Sequence, residues 1–334
     1  MNLFSNLSNV ENLTDLFIFK YGLFISLLFY IPFVSVLIGS LLFSLIHFRK
    51  GKLLKSNSYF SFAKFIIEII LEKVWVVFLI GIFPVIGITF FYSQIYNGIN
   101  SEDLFFALLL HIAGLILSLT FRGSFSLFKS ENNEIIEGVN SLKNKNVSYL
   151  NFGGSLGFIF LITSSFIIFS YINFAVSKFS TVDTFSILFS NFSVINYLLF
   201  LSISFAITPA IIFVKLNKKK VFLSFAEYGK DFSIKSGILF SFIQPILFVL
   251  IILTISLQAI SFSYFISTIF VLIFMLISTT QFYIWHKGNN VKSNKIVLTI
   301  ILLLVMLIYH GQLNSEKINQ KEDIKVGKLI NLFS

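Results

Sequence analysis

The stretch "YGLFISLLFYIPFVSVLIGSLLFSLI", residues Tyr21–Ile46, carries no charged side chain and decides how the rest of the chain is interpreted. About 20 consecutive apolar residues are enough for an α-helix to cross the hydrocarbon core of a bilayer. Inside that core a helix satisfies its own backbone hydrogen bonds, whereas an isolated strand does not. The stretch therefore predicts a transmembrane helix.

The composition of the whole chain indicates the same class of protein. Of its 334 residues, 56% are hydrophobic and 12% are charged, whereas soluble domains carry about 25% charged residues. So few charged side chains cannot cover a globular surface of this size, and we expect most of the surface to face lipid. The net charge of +10 collects at the ends of apolar runs, which is typical of membrane topology and not of nucleic-acid binding.

The absence of cysteine narrows the chemistry further. It excludes disulfides, thiolate zinc sites, iron–sulfur clusters and covalently attached c-type haem within this chain. Any haem would have to be held by histidine, and we expect no metal beyond such a haem iron. The sequence also lacks a phosphate-binding loop and the motif of a zinc metalloprotease.

Hydropathy predicts an all-α fold, a polytopic transmembrane helix bundle of about eight spans covering residues 21–309. We expect residues 1–20 to form an interfacial segment and residues 310–334 to form a tail on the same side. The predicted spans are Tyr21–Ile46, Val74–Tyr92, Leu104–Phe121, Leu156–Val176, Val194–Val214, Ile238–Leu257, Tyr264–Trp285 and Ile296–Tyr309.

The positions of the basic residues predict the orientation of the bundle. Most of the 25 Lys and Arg residues lie in alternate connections, such as Arg49–Lys55 and Lys215–Lys220. Cytoplasmic connections are enriched in Lys and Arg. Both termini are therefore expected outside, in the periplasm, with the chain in the inner (plasma) membrane of a bacterium.

Four histidines are the candidate ligands of a cofactor. His111 lies about eight residues into the third span, roughly 12 Å below the outer surface at 1.5 Å per residue. His310 is expected near the same outer side, whereas His47 and His286 end their spans on the inner side. Two such pairs suit two b-type haems, one in each leaflet.

Other roles remain open for these histidines. A buried imidazole at position 111 also suits hydrogen bonding to a quinone, a proton relay, or a plain hydrogen bond between helices. Histidines at an interface beside Lys or Arg are often only interfacial residues.

The segment "FAKFIIEIILEKVW" before the second span carries the candidate proton path. Lys64, Glu68 and Glu72 are four residues apart and share one helix face. Carboxylates at a membrane edge can deliver protons when they are partly desolvated. The alternative is an amphipathic turn that lies in the interface and has no chemistry.

Prolines, glycines and amides indicate how the helices pack. All four prolines lie within predicted spans and are expected to kink them, freeing carbonyls that neighbouring helices must satisfy. The glycines of "NFGGSLGF", Asn151–Phe158, predict close packing at the start of the fourth span. Buried amides such as Gln244 and Gln281 favour hydrogen bonds between helices over ligand binding.

The region Tyr21–Arg122 resembles bacterial multi-pass proteins that are associated with, or fused to, periplasmic c-type cytochromes. The resemblance rests on the entry helix and on "GIFPVIGITFFYSQIYNG", with Gly81, Pro84, Tyr92, Ser93 and Gly98 as its main residues. It implies an electron-transfer setting. Because this chain has no CxxCH motif, the cytochrome would be a separate subunit, and residues 310–334 would be its docking segment.

These observations lead to one expectation and two alternatives. We expect a membrane subunit of a respiratory or electron-transfer complex that anchors a periplasmic cytochrome and exchanges electrons with quinone through haem b. A secondary transporter is the first alternative, because kinked spans and a few buried polar residues suit a midplane site. A membrane scaffold without chemistry is the second.

Overall fold

A computed structural model describes residues 13–95, 101–125, 144–174, 188–218, 224–254, 262–288, 295–308 and 310. Within these ranges the chain forms helices and turns, and no strand. The helices are α1 (Leu13–Leu54), α2 (Asn57–Leu71), α3 (Val74–Gly81), α4 (Phe83–Ile95), α5 (Ser101–Ser124), α6 (Asn144–Phe174), α7 (Asn191–Lys218), α8 (Ala226–Thr254), α9 (Phe262–His286) and α10 (Lys295–Ile308). The all-α prediction is confirmed for this part of the chain.

The protein is a multi-pass membrane protein. Among the described residues, seven helical segments are long and apolar enough to cross a bilayer, with α3 and α4 together forming one of them. The eighth predicted span corresponds to α10, a shorter apolar helix. Large apolar side chains such as Leu253, Phe262 and Phe242 are exposed, as lipid contact requires.

The ends of the chain differ in part from the sequence expectation. Residues 13–20, assigned to an interfacial segment, form the first turns of α1 and continue directly into the first span. Residues 1–12 and 311–334 lie outside the described residues.

The entry segment is a separate helix, α2, and a bend at Glu72 and Lys73 divides it from α3.

Helix α1 organises the bundle, because it contacts α2, α3, α4, α6 and α7. The closest pairs are α5 with α6 and α7 with α8. Small residues let α1 and α7 approach each other: Gly39 faces Thr208 and the backbone carbonyl of Ser204. Helix association in a bilayer depends on such close contact, since lipid is as apolar as the side chains it replaces.

The pair α5 and α6 packs in antiparallel register through glycines. Gly157 lies against Gly114, and Gly154 lies against the ring of Phe121. The close packing predicted for "NFGGSLGF" is therefore confirmed at Gly154 and Gly157. Gly153 differs, since an added Cβ there would meet nothing within 4 Å.

Pro32, Pro209 and Pro245 lie inside continuous helices, and at Pro245 a side chain of the neighbouring helix compensates for the missing backbone donor. Pro245 has no N–H, so the carbonyl of Ser241, four residues earlier, loses its helical donor. Thr279 on α9 donates to that carbonyl at 3.2 Å. Pro84 coincides with the break between α3 and α4, which falls at Ile82.

Basic residues gather at one end of the bundle. Arg49 at the end of α1 donates to Asn151 and Ser155 at the start of α6, and Lys215 near the end of α7 donates to the carbonyl of Ile69 on α2. We call this region, which contains Arg49, Arg122 and Lys215, the basic end. The side where α5 begins is the opposite end.

Replacing Gly39 with Ala should destabilise the bundle by about 1 to 3 kcal/mol, the usual effect of overpacking a tight contact. The new Cβ would lie 2.6 Å from the carbonyl oxygen of Ser204, a backbone atom that cannot rotate away. Unfolding of the detergent-solubilised protein by a denaturing detergent measures the effect. Gly153→Ala is the matched control and should be neutral or stabilising by up to about 1 kcal/mol; equal losses in both variants would contradict the packing of α1 on α7.

Candidate functional site

A cluster of buried polar side chains surrounds His111 in the bundle interior. The imidazole lies between α1 and α6, with its ring centroid 5.5 Å from that of Tyr30 and its Nδ1 3.3 Å from the Oγ of Ser164. All three side chains are fully buried. The α5–α6 register that brings Gly114 against Gly157 also sets His111 opposite Ser164, so the glycine packing positions this site.

The hydrogen bonds of Ser164 define the protonation of the imidazole. Ser164 donates its single hydroxyl hydrogen to the carbonyl of Leu161 at 3.0 Å, which leaves its oxygen as an acceptor for His111. We therefore assign the hydrogen of the neutral ring to Nδ1. Nε2 then presents a lone pair, the form in which histidine ligates a metal or accepts a hydrogen bond.

Two polar atoms of this cluster are buried without a hydrogen-bond partner among the described residues: Nε2 of His111 and the hydroxyl of Tyr30. The backbone of Gly81, at the break between α3 and α4, lies beside the imidazole but makes no hydrogen bond of ordinary geometry with Nε2. Unpaired polar atoms in a nonpolar interior cost about 1 to 3 kcal/mol each. Because the two atoms lie in one cluster, we take this cluster as the candidate site.

A second layer of polar groups supports the cluster from α7. The hydroxyl of Tyr197 donates to the carbonyl of Ile162 at 2.8 Å and lies 2.8 Å from the Oγ of Ser165. Because Ser164 and Ser165 are adjacent, these bonds also fix the part of α6 that holds His111. The site therefore draws on α1, α5, α6 and α7.

His47 has a different environment, at the basic end. Its Nδ1 lies 2.7 Å from the carbonyl of Phe43, and its Nε2 lies 3.1 Å from the hydroxyl of Tyr228. The rings of Phe62 and Phe232 enclose it edge-on, at centroid distances of 4.8 and 4.6 Å. Both nitrogens have partners in this structure, and through them this histidine holds α1 against α8. Its predicted role as a haem ligand stays a prediction.

His310 shares the features of His111. Its Nδ1 lies 2.7 Å from the Oγ of Ser267, which donates its own hydrogen to the carbonyl of Tyr264. Its Nε2 is buried and has no partner in the described parts of the chain. His286, by contrast, is exposed at the end of α9.

The predicted pairing of histidines by depth stays a prediction. The contacts of His111 lie on α1 and α6, whereas those of His310 lie on α8 and α9. His47 contacts α2 and α8, and His286 is exposed. His111, His310 and His47 thus each have their own set of neighbours. Within the described ranges, no group of three or more His, Cys, Asp or Glu residues is arranged to hold a metal ion.

The candidate proton path lies at the basic end. The side chains of Lys64 and Glu68 form an ion pair with a nitrogen–oxygen distance of 3.9 Å, and each is about two-fifths exposed. The shared helix face predicted for them is therefore confirmed. Glu72 is exposed in the bend after α2. An exposed pair of this kind contributes at most about 1 kcal/mol to stability.

Sequence reasoning found His111 but missed the residues around it. Tyr30, Ser164 and Tyr197 sit in apolar runs like many other tyrosines and serines of this chain. Their common location depends on how four helices pack, for which the sequence carries no local signal. A search of protein-family models, of curated proteins and of solved structures finds no match to this chain.

Two tyrosine substitutions should have opposite effects on stability. Tyr30→Phe removes a buried hydroxyl that has no partner, so the variant should be as stable as the parent or more stable by up to about 2 kcal/mol. Tyr197→Phe removes a hydroxyl with two partners and should destabilise the protein by about 1 to 2 kcal/mol. The same detergent unfolding assay measures both. Equal destabilisation by the two changes would mean that Tyr30 is hydrogen-bonded.

Proposed function

We propose that this chain is the membrane subunit of an electron-transfer complex and that His111 holds its electron carrier, a b-type haem or a quinone. The observation that supports this most directly is the buried Nε2 of His111, which has no partner in the described chain while Nδ1 is bonded to Ser164. The resemblance of Tyr21–Arg122 to cytochrome-associated membrane proteins supports the same setting.

The arrangement around His111 fits axial ligation of haem. Histidine ligands commonly donate their second nitrogen to a nearby oxygen, which fixes the ring and its tautomer. Ser164 provides that oxygen for His111, and Ser267 does so for His310. A haem bound at His111 would supply one-electron transfer, and the chain would contribute the ligand, its orientation and an apolar surround.

The same cluster fits a quinone. Tyr30 has a hydroxyl hydrogen free for a quinone carbonyl, and the Nε2 lone pair of His111 can accept a hydrogen bond from a quinol hydroxyl. Glu68 and Glu72 are proposed to exchange the protons of quinone chemistry with water at the basic end, where both are accessible to solvent.

We infer that the bundle crosses the inner membrane of a bacterium eight times, with the basic end in the cytoplasm and both termini in the periplasm. Arg49, Arg122 and Lys215 at one end support this orientation. A periplasmic c-type cytochrome would then be a separate subunit that residues 310–334 help to dock.

An absorption spectrum tests the haem proposal. We expect the full chain, produced with haem available and purified in detergent, to show a Soret band that His111→Ala abolishes. His286→Ala is the matched control, since this histidine is exposed, and it should retain the band. A parent protein without a Soret band rules out haem and leaves the quinone version.

The orientation is tested by labelling single cysteines in a chain that has none of its own. Lys20→Cys, near the opposite end, should react in intact cells with a maleimide reagent that cannot cross the membrane. Lys52→Cys, at the basic end, should react only after the cells are opened. The reverse pattern would invert the topology and contradict a periplasmic docking tail.

A secondary transporter is the second candidate function. The break between α3 and α4 lies beside the buried polar cluster, and Gly81 at this break packs against Phe33 and Leu115. Interrupted helices next to buried polar groups form the binding sites of many transporters. A Soret band would favour the electron-transfer subunit over the transporter. Without a Soret band, ion-gradient-driven uptake into proteoliposomes separates the transporter from the quinone version.

A further inference from the structure

A second set of unpaired polar groups lies in the other half of the bundle, around Gln244 on α8. The side chain of Gln244 is completely buried, and neither its amide nitrogen nor its amide oxygen has a partner among the described residues. Gln281 on α9 differs in its amide nitrogen, which donates to Thr299 at 3.2 Å, whereas its amide oxygen also has no partner among the described residues. Gln281 joins two helices as the sequence predicts for a buried amide, and Gln244 does not.

The packing of α8 on α9 shows where Gln244 points. Gly237 contacts Phe282, and one turn further along α8 the carbonyl of Ser241 accepts from Thr279. Gln244 and Phe248 continue the same buried face of α8 towards the opposite end. Helix α8 runs from the basic end to the opposite end, and Gln244 precedes Phe248 by about one turn. Gln244 therefore lies about 6 Å further from the opposite end than Phe248 does.

His310 meets this face at the level of Phe248. Its ring centroid is 5.5 Å from that of Phe248 and 4.2 Å from that of Tyr264. Its side chain is more than nine-tenths buried, and Nε2 has no partner within the described ranges. Two unpartnered polar side chains therefore lie near Phe248: Gln244 is one turn away on the same buried face of α8, and the ring of His310 contacts the ring of Phe248.

The free atoms define what would bind between them. We assign the hydroxyl hydrogen of Ser267 to the backbone carbonyl of Tyr264, which places the imidazole hydrogen of His310 on Nδ1 and leaves Nε2 as an acceptor. The amide of Gln244 offers one donor group and one acceptor. The complementary ligand carries a hydroxyl for His310 and a second oxygen for Gln244, and it has a ring to pack against Phe248 and Tyr264.

The side chains around the site indicate that the ligand is uncharged and soluble in lipid. The charged side chains of α8, namely Glu227, Lys230, Asp231 and Lys235, all lie near its basic-end start. The outer faces of α8 and α9 expose apolar side chains, including Leu250, Leu253 and Phe265. An uncharged molecule that reaches the site from lipid meets no charged group of α8 on the way.

We propose that Gln244 and His310 form a binding site for a lipid-soluble quinol, with His310 accepting from one hydroxyl and Gln244 bonding the oxygen across the ring. The site is separate from the His111 cluster and does not require that His111 hold a cofactor. Because Nε2 of His310 needs a donor, the site prefers the reduced, hydroxyl-bearing form over the quinone.

Thermal unfolding of the full chain in detergent tests the proposal. The probes are decylubiquinol under anaerobic reducing conditions, decylubiquinone, and decanol as a ringless molecule with the same alkyl chain. A ligand that binds only the folded state raises the melting temperature. We expect the largest rise with the quinol, a smaller rise with the quinone and none with decanol.

Gln244→Leu is the decisive variant. Without ligand it should melt at the same temperature as the parent or higher, because the unpaired amide is gone, and its Kd for the quinol should increase about tenfold or more. Gln281→Leu, the matched control, should melt lower without ligand and keep the response to quinol. If Gln244→Leu folds poorly, Gln244→Met, which retains the length of the side chain, serves in its place.

Several outcomes would overturn the proposal. In the parent protein, these are an unchanged melting temperature with both ring compounds, or a rise with decanol as large as with the quinol. In Gln244→Leu, they are an unchanged response to the quinol, or a loss of stability without ligand as large as that of Gln281→Leu. A response that His111→Ala abolishes and Gln244→Leu retains would place the quinol at the His111 cluster. The two proposals therefore fail separately.

Discussion

The constraint on which this structure depends is that a polar group inside a bilayer has no water to bond with. Each buried donor or acceptor must find a partner within the protein, or its desolvation opposes folding. The bundle meets this requirement at many positions with serine and threonine hydroxyls that donate to carbonyls of the preceding turn, as Ser35, Ser118 and Ser204 do. Against that background, a buried polar atom without a partner is informative.

The same constraint explains how the bundle tolerates a proline inside a helix. Pro245 deprives the carbonyl of Ser241 of its donor, and the hydroxyl of Thr279 on the adjacent helix replaces it. The bond also sets the register of α8 on α9, which in turn positions Gln244 and Phe248. The donor missing at Pro245 thus leads to a hydrogen bond that holds α8 against α9. The proposed site at Gln244 and His310 depends on this packing.

The sequence predicted those features that follow from a single segment. Apolar length was enough to find the helices, the spacing of Lys64 and Glu68 was enough to place them on one face, and the glycines at 154 and 157 marked a close contact. Periodicity did not show that α1 extends back to Leu13 or that α2 is separate from α3, because both depend on where the chain turns relative to its neighbours. The partners of His111 were out of reach for the same reason: Tyr30 and Ser164 come from helices that only the folded bundle brings together.

The three buried histidines, His47, His111 and His310, differ in whether Nε2 has a hydrogen-bond partner. Each has its Nδ1 beside an oxygen that accepts, a backbone carbonyl for His47 and a serine hydroxyl for His111 and His310. Each therefore presents Nε2 as an acceptor. At His47 the hydroxyl of Tyr228 fills that position, and the ring is a completed structural contact.

At His111 and His310 no hydroxyl of the described chain reaches Nε2, although Tyr30 lies beside the first ring and Tyr264 beside the second. The bond that completes His47 thus specifies the chemistry that would complete the other two: a hydroxyl donor, or a metal ion that takes the same lone pair. A bundle that needed these histidines only for packing would be more stable with an apolar side chain at either position. Two buried acceptors without a partner in the described chain, each assigned its tautomer from an adjacent serine, are therefore the main physical support for the proposal that this membrane protein binds a ligand.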